Sequence, residues 1–230
     1  MKWSEMPLAA FDLETTAANP LTARIVTACV VSIDGAATAA QTWMVDPEVE
    51  IPDEAAAVHG ITTDRARAEG QDYADGYREI RAAVEGAWMG GRVVAAFNAS
   101  YDFTVIDREG RRLGYPPLVV GPIVDAFVID RHVDKYRRGK RTLGVTCEHY
   151  RVELGNAHSA DADALAAARL AWKLARMYPQ EVGELDAEAL MANQADWHRA
   201  RQDDFAAYLR RVGKDDSDVC GDWPIRQVTA

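Results

Sequence analysis

An α/β architecture, a mixed sheet with helices on its faces, is what this 230-residue chain predicts, and three features carry that expectation. Two strand-like runs on either side of Asp34-Gly35 read as an early antiparallel hairpin. Downstream, short apolar runs alternate with segments of helical period, the order expected of a sheet that is partly parallel. Hydrophobic residues make up 48% of the chain and charged residues 27%, a globular composition that can supply a core on both sides of such a sheet.

Taken in order, Leu8 to Glu14 is apolar and then acidic and reads as the first strand. Ile25 to Ile33 is rich in β-branched residues and Thr38 to Val45 alternates, which gives the two arms of the hairpin. Two helices are expected next. Pro52-Asp53-Glu54 opens a short one ending at His59-Gly60, and Asp72 to Trp88 places Tyr73, Tyr77, Ile80 and Val84 on one face. Arg92 to Phe97 reads as a buried strand, Tyr101 to Leu113 as a helix closed by Gly114, and Pro122 to Phe127 as a further strand. Thr142 to Tyr150 and Ser159 to Met177 read as helices, the second capped by Ser159 and carrying Leu165, Ala168, Trp172 and Ala175 at helical spacing. Pro179 closes this unit. Asp186 to Val212 reads as one long helix with Leu190, Trp197, Phe205, Tyr208 and Leu209 among its apolar positions, followed by an acidic tail without a clear period. Residues 1–178 are therefore expected to form one domain and residues 179–230 a helical extension, which could pack on the domain or dock a partner.

Composition narrows the function classes. The longest apolar run, Ile25 to Ile33, falls far short of the ~20 residues of a membrane helix. The N-terminal residues Met1 to Pro7 carry no apolar stretch before Asp12 and Glu14, so a cytoplasmic protein is expected. Cys29, Cys147 and Cys220 are odd in number and form no Cys-x-x-Cys pair, which argues against a disulfide framework or a thiolate zinc site. A net charge of −10 argues against a globally basic surface that coats nucleic acid. Nucleic acid remains open as a substrate, because cations held in an acidic site can neutralise phosphates.

Three clusters carry candidate chemistry. In Phe11-Asp12-Leu13-Glu14-Thr15-Thr16 two carboxylates stand two apart on a strand, and period-two geometry sends both to one face. In Phe97-Asn98-Ala99-Ser100-Tyr101-Asp102, Asp102 falls at the start of a helix after a buried strand, where sites on such sheets gather, although Asn and Asp are also ordinary capping residues there. In His158-Ser159-Ala160-Asp161-Ala162-Asp163 an imidazole and two carboxylates meet a helix start, where Ser159 and Asp161 would also serve as cap and dipole partner.

The order and spacing of the three clusters resemble those of the DnaQ-like, or DEDDh, 3′-to-5′ exonucleases: Phe-Asp-Leu-Glu-Thr-Thr at 11–16, Asn-x-x-x-Asp at 98–102 and His-x-x-x-x-Asp at 158–163. Val58-His59-Gly60-Ile61-Thr62 is similar to a segment common after the third strand in that family, and the resemblance covers roughly Leu8 to Met177. Phe97 departs from the histidine that many relatives carry before the Asn. The resemblance implies a ribonuclease H-like fold with a mixed five-stranded sheet. It implies that Asp12, Glu14, Asp102 and Asp163 bind two divalent cations, Mg²⁺ with Mn²⁺ as a substitute, and that His158 is the general base. Hard carboxylate oxygens suit those ions, and an imidazole titrating near ~6.5 suits that base.

The expected activity is release of nucleoside 5′-monophosphates from the 3′ end of a single strand, DNA favoured over RNA, in proofreading or repair. The alternatives are an RNA-trimming relative and a non-catalytic module that serves a DNA polymerase partner; the oligomeric state stays open. Thr15, Thr16, His59 and Asn98 are candidates for contacts to the terminal nucleotide, with strand-end hydrogen bonds as the plainer role for the threonines and His59. His132, His149, His198 and Asp161 are read as ordinary polar residues. Arg131 to Arg141 holds six Lys or Arg against one Asp, and Arg137, Arg138, Lys140 and Arg141 are its candidate phosphate contacts, with a solvated loop as the rival reading.

Overall fold

The computed structural model describes residues 1–155 and 160–227. At its centre lies β1 (Leu8–Thr15), which pairs antiparallel with β2 (Ile25–Asp34) and parallel with β4 (Val93–Ala96). β3 (Ala37–Met44) completes the hairpin on one edge and β5 (Ile123–Asp125) lies parallel to β4 on the other, giving the order β3-β2-β1-β4-β5. β4 is short and apolar with all four residues buried, as a central parallel strand covered on both faces must be.

Side chains of β1 divide by period two. Ala9, Phe11 and Leu13 face a core formed with α3 (Tyr73–Met89) and α4 (Ala99–Arg112), where Tyr73, Tyr77, Ile80, Val84, Phe103 and Ile106 are buried. Ala10 faces the opposite core, built with α5 (Ala126–Val133), α6 (Leu143–Tyr150) and α7 (Ala160–Met177), around Ile129, Cys147, Leu170 and Leu174. Asp12 and Glu14 continue the Ala10 row. The β1–β2 register shifts between Glu14 and Thr15, so the pairing resumes at Thr15 with Ile25 after an irregularity just past the two acids.

Several expectations need correction. Three helices, not two, follow the hairpin: α1 (Asp53–His59), α2 (Thr63–Glu69) and α3. The overlooked α2 starts at Thr62, whose side chain accepts from the Arg65 backbone. The strand expected over 122–127 ends at Asp125, because that side chain accepts from the Phe127 and Val128 amides and starts α5 there. In β3 the alternating sequence is not an alternating burial, since Ala37 to Thr42 are exposed on both faces at the sheet's outer edge. On α7, Ala168 and Ala175 are buried but Trp172 is 46% exposed; small residues let the helix lie close on the sheet, and the indole sits at the rim under Arg176. The cap expected at Ser159 lies outside the described residues.

The C-terminal residues pack against the sheet. α8 (Ala187–Arg211), capped by Asp186, buries Leu190, Gln194 and His198, while its second half leaves Phe205 and Tyr208 exposed. The tail then returns to bury Trp223 in the α3–α4 core. Among the described residues the three cysteines are free and no helix is long and apolar enough to cross a membrane.

Candidate active site

The first two candidate acids owe their position to β1. Asp12 pairs in register with Cys29 and Glu14 with Thr27, on the face that α7 covers. Asp163 stands in the first turn of α7, and Asp102 one turn into α4. A tight strand-to-helix passage aims Asp102: Asn98 adopts the left-handed conformation (φ 71°, ψ 48°), which asparagine tolerates better than most residues.

That turn is fixed from below by Asp125, a residue the sequence did not single out. Its buried carboxylate accepts from Asn98 N at 3.0 Å, Ala99 N at 2.9 Å, the Phe127 and Val128 amides, and Trp223 Nε1 at 3.2 Å. Five donors to one carboxylate hold the starts of α4 and α5 and the C-terminal tail together. An acid closing an apolar strand, Ile123-Val124-Asp125, was the available signal, the same one that marks Asp12 after Phe11.

The four candidate acids act on one another. Burial first, and then the charges of Asp102, Glu14 and Asp163, push the Asp12 carboxyl well above the usual range. Burial, then Asp163, pushes Glu14 up to about 7. Burial also raises Asp102, helped by Asp125 and Glu14 and opposed by its own backbone and that of Leu13, the residue between Asp12 and Glu14. Among the described residues no lysine or arginine forms an ion pair with Asp12, Glu14 or Asp102, and no three acids or histidines already converge into a cation cage. The donor set nevertheless fits divalent cations: hard oxygens only, from separate elements, with more negative charge than their burial tolerates.

His158 lies outside the described residues. His59 is buried at the end of α1, with Nδ1 accepting from Ile61 N at 3.2 Å. Burial lowers its pKa, and the Thr15 backbone pulls the other way without reaching hydrogen-bond geometry, so Nε2 is left buried and unpartnered. The two threonines are engaged in the protein. Thr15 Oγ1 bonds the Tyr101 hydroxyl, and Thr16 Oγ1 accepts from Arg24 N at 3.0 Å. Asn98 makes no side-chain cap bond and lines a cleft of about 360 Å³ with Tyr101, His198, Phe205 and Arg226.

The basic segment divides, and half of its candidate contacts are corrected. Arg137 and Arg141, with side chains only 10% and 8% exposed, direct their guanidiniums onto the fully buried Asp130 at 2.7 and 2.8 Å. Arg141 further donates to the carbonyls of Asp130, Asp134 and Arg137. These two arginines close the loop after α5 and are not presented to a strand. Arg138 and Lys140 are exposed. Of the remaining histidines, His132 stacks on Trp197 at 4.0 Å, His149 meets Asp134 at 3.3 Å, and the buried His198 meets the Cys220 carbonyl at 3.3 Å.

Comparison with known proteins places this geometry in a family. The exonuclease family RNase_T matches residues 9–171. The chain is similar to the DNA polymerase III PolC-type of Oceanobacillus iheyensis, 28% identical over 174 residues, which are 75% of this chain and 12% of that protein. It is also similar to the PolC-type polymerase of Staphylococcus aureus strain bovine RF122, 32% identical over half of this chain and 8% of the relative. Among solved structures it resembles E. coli exonuclease I in complex with a dT13 oligonucleotide, with a TM-score of 0.64 at 18% identity over 76% of this chain and 42% of that one. Exonuclease X in complex with 5′ overhanging duplex DNA superposes with a TM-score of 0.55 at 19% identity over 79% and 98% of the two chains. The chain thus spans a small part of the polymerases and under half of exonuclease I.

Proposed function

The chain belongs to the RNase_T exonuclease family, DnaQ-like with a ribonuclease H-like fold, and from that membership we propose that it removes nucleoside 5′-monophosphates from the 3′ end of a DNA strand, in proofreading or repair. What supports the reading is that Asp12 and Glu14 on β1 stand near enough to Asp102 on α4 and Asp163 on α7 that, beside burial, Asp102, Glu14 and Asp163 raise the pKa of Asp12, Asp163 raises that of Glu14, and Glu14 raises that of Asp102. A binding module without catalysis has no reason to keep several carboxylates, one buried and the others half-buried, in mutual repulsion. The PolC-type relatives and the DNA in the two exonuclease structures support DNA as the substrate and a polymerase as a possible setting.

In this reading Asp12 would help to hold both divalent cations, Glu14 and Asp163 one of them, and Asp102 the other. When bound, the cations supply charge neutralisation at the scissile phosphate and the acidity that readies a water for attack. His158 takes the proton of that water. The Asp125-held turn keeps Asp102 in place against β1, so that the acids need little rearrangement when the substrate arrives. His59, with a buried nitrogen still lacking a partner beside Thr15, is the best placed of the proposed contacts to the terminal nucleotide.

The test is a 5′-labelled single-stranded oligonucleotide, offered as DNA and as RNA, with Mg²⁺ and then with a chelator. Stepwise shortening from the 3′ end in Mg²⁺ alone, faster for DNA, is the expected result. Shortening of RNA alone would move the assignment to RNA trimming, and no shortening of either would remove it.

A further inference from the structure

Arg131 and Arg201 are partly buried, unlike the solvent-exposed Arg138 and Lys140, and yet form no ion pair with a carboxylate among the described residues. Asp130, the acid beside Arg131, is already shared by Arg137 and Arg141. Lys135 pairs with Asp204 and Arg199 with Asp196. Neither Arg131 nor Arg201 forms an ion pair among the described residues, and Arg131 Nε is buried without a hydrogen-bond partner. A partly buried guanidinium with unused donors is costly to hold, and an anion is what would compensate it. Burial, followed by the charges of Arg201 and Arg141, lowers the pKa of Arg131, and the nearby Asp130 offsets this only in part.

The position of the pair suggests which anion. Arg131 lies 4.5 Å over the ring of Phe127, and Phe127 packs edge-on against Phe97 at 5.3 Å. Phe97 directly precedes Asn98 and the turn that aims Asp102. Arg131 stands six positions beyond Asp125, which caps α5 at that turn, a rise of about 9 Å along the helix. α8 runs alongside, with Trp197 stacked on His132 and Arg201 one turn further on. Phe97 and Phe127 are both half-buried, so a row of partly open aromatic rings leads from the candidate active site to the two arginines. Aromatic rings followed by unpaired guanidiniums are the elements that bind a single strand: stacking for bases and charge for phosphates.

We propose that Arg131 and Arg201 form a phosphate site for the nucleic-acid strand just upstream of the scissile bond, reached from the active site across Phe97 and Phe127. The site rests on the exonuclease reading above, and it gives α8, which lies beyond the matched family region, a part in holding substrate.

The experiment measures binding of a fluorescent oligothymidylate over a salt series, with a chelator present so that the strand stays whole, and separately its degradation in Mg²⁺. The variant carrying Arg131→Gln and Arg201→Gln is expected to bind more weakly and to lose about 1.4 from the slope of log affinity against log salt, roughly 0.7 per phosphate contact. Arg131→Lys with Arg201→Lys keeps both charges and is expected to keep the slope. If Arg131→Gln prevents folding, Arg201→Gln alone is expected to lose half as much. An unchanged slope overturns the site and leaves the exonuclease reading standing. So does a wild-type chain that degrades the strand in Mg²⁺ but does not bind it with the chelator. A wild-type chain that neither binds nor degrades it removes both.

Discussion

The side chain of Gln194 bonds to the edge of the sheet as another strand would: its Oε1 accepts from Asp125 N at 2.7 Å, while its Nε2 donates to Ile123 O at 3.0 Å. α8 thereby closes an edge that β5 would otherwise leave open, and it does so at the residue whose carboxylate holds the Asn98 turn. Gln194→Leu keeps the size of the side chain but leaves a buried N–H and a buried C=O unpaired, at about 1–3 kcal/mol each. A lower denaturation midpoint is expected with little change in the denaturant slope. A chain ending at residue 178 lacks Trp223 as well and is expected to melt lower still or to aggregate; native-like melting of that fragment would show that the edge needs no cover.

Asp12→Ala is expected to abolish nuclease activity with every divalent cation, because the proposed ligand of both ions is gone. Without metal the same variant is expected to melt higher than wild type, since it removes one member of a largely half-buried set in which Asp102, Glu14 and Asp163 all raise the pKa of Asp12. Calorimetry in chelator and an oligonucleotide assay in Mg²⁺ check the two halves separately. Full activity in the variant contradicts the assignment of Asp12.

Burial, together with that repulsion, sets a pH dependence. A carboxyl whose pKa is higher in the folded than in the unfolded chain binds its proton more tightly when folded. The resulting stabilisation is complete below the unfolded value and is lost as pH rises through the folded one. For Glu14 that window runs from the ordinary 4.5 up to about 7, and Asp12 and Asp102 shift in the same direction. Metal-free protein is therefore expected to melt progressively lower as pH is raised from 5 to 8. Bound Mg²⁺ should remove most of that slope by neutralising the same carboxylates. Equal pH slopes with and without Mg²⁺ would separate the acids from cation binding.

What the sequence disclosed and what it hid follow from the range of the interactions. Asp12 and Glu14 can be put on one face because alternation on a strand is local, whereas Asp102 and Asp163, for which capping is the plainer local reading, are singled out by the order and spacing of the three clusters. The role of Asp125 is not local. Its donors come from residues 98, 99, 127, 128 and 223, and only folding brings them together. The same holds for α8, whose apolar period says that it packs but not that Gln194 is what joins it to the sheet. The basic run misleads for a related reason: a charge count over 131–141 cannot see that Asp130, one residue outside it, takes up two of the arginines.

That division makes the last prediction. Arg137 and Arg141 share one fully buried carboxylate, and removing one partner of a buried pair leaves charge without compensation, at a typical cost of about 3–5 kcal/mol. Since Asp130 retains the second arginine in either single variant, Arg137→Gln and Arg141→Gln should each fall toward the lower end of that range. Arg138 and Lys140 stand in solvent, where losing a charge changes stability little. If they meet a strand at all, Arg138→Gln with Lys140→Gln should flatten the salt dependence of oligonucleotide binding while the melting temperature stays near wild type. Melting curves and salt titrations on the same three proteins separate the outcomes. A melting temperature unchanged by Arg137→Gln, with a flattened salt slope, would return Arg137 to the nucleic-acid surface and take it out of the fold.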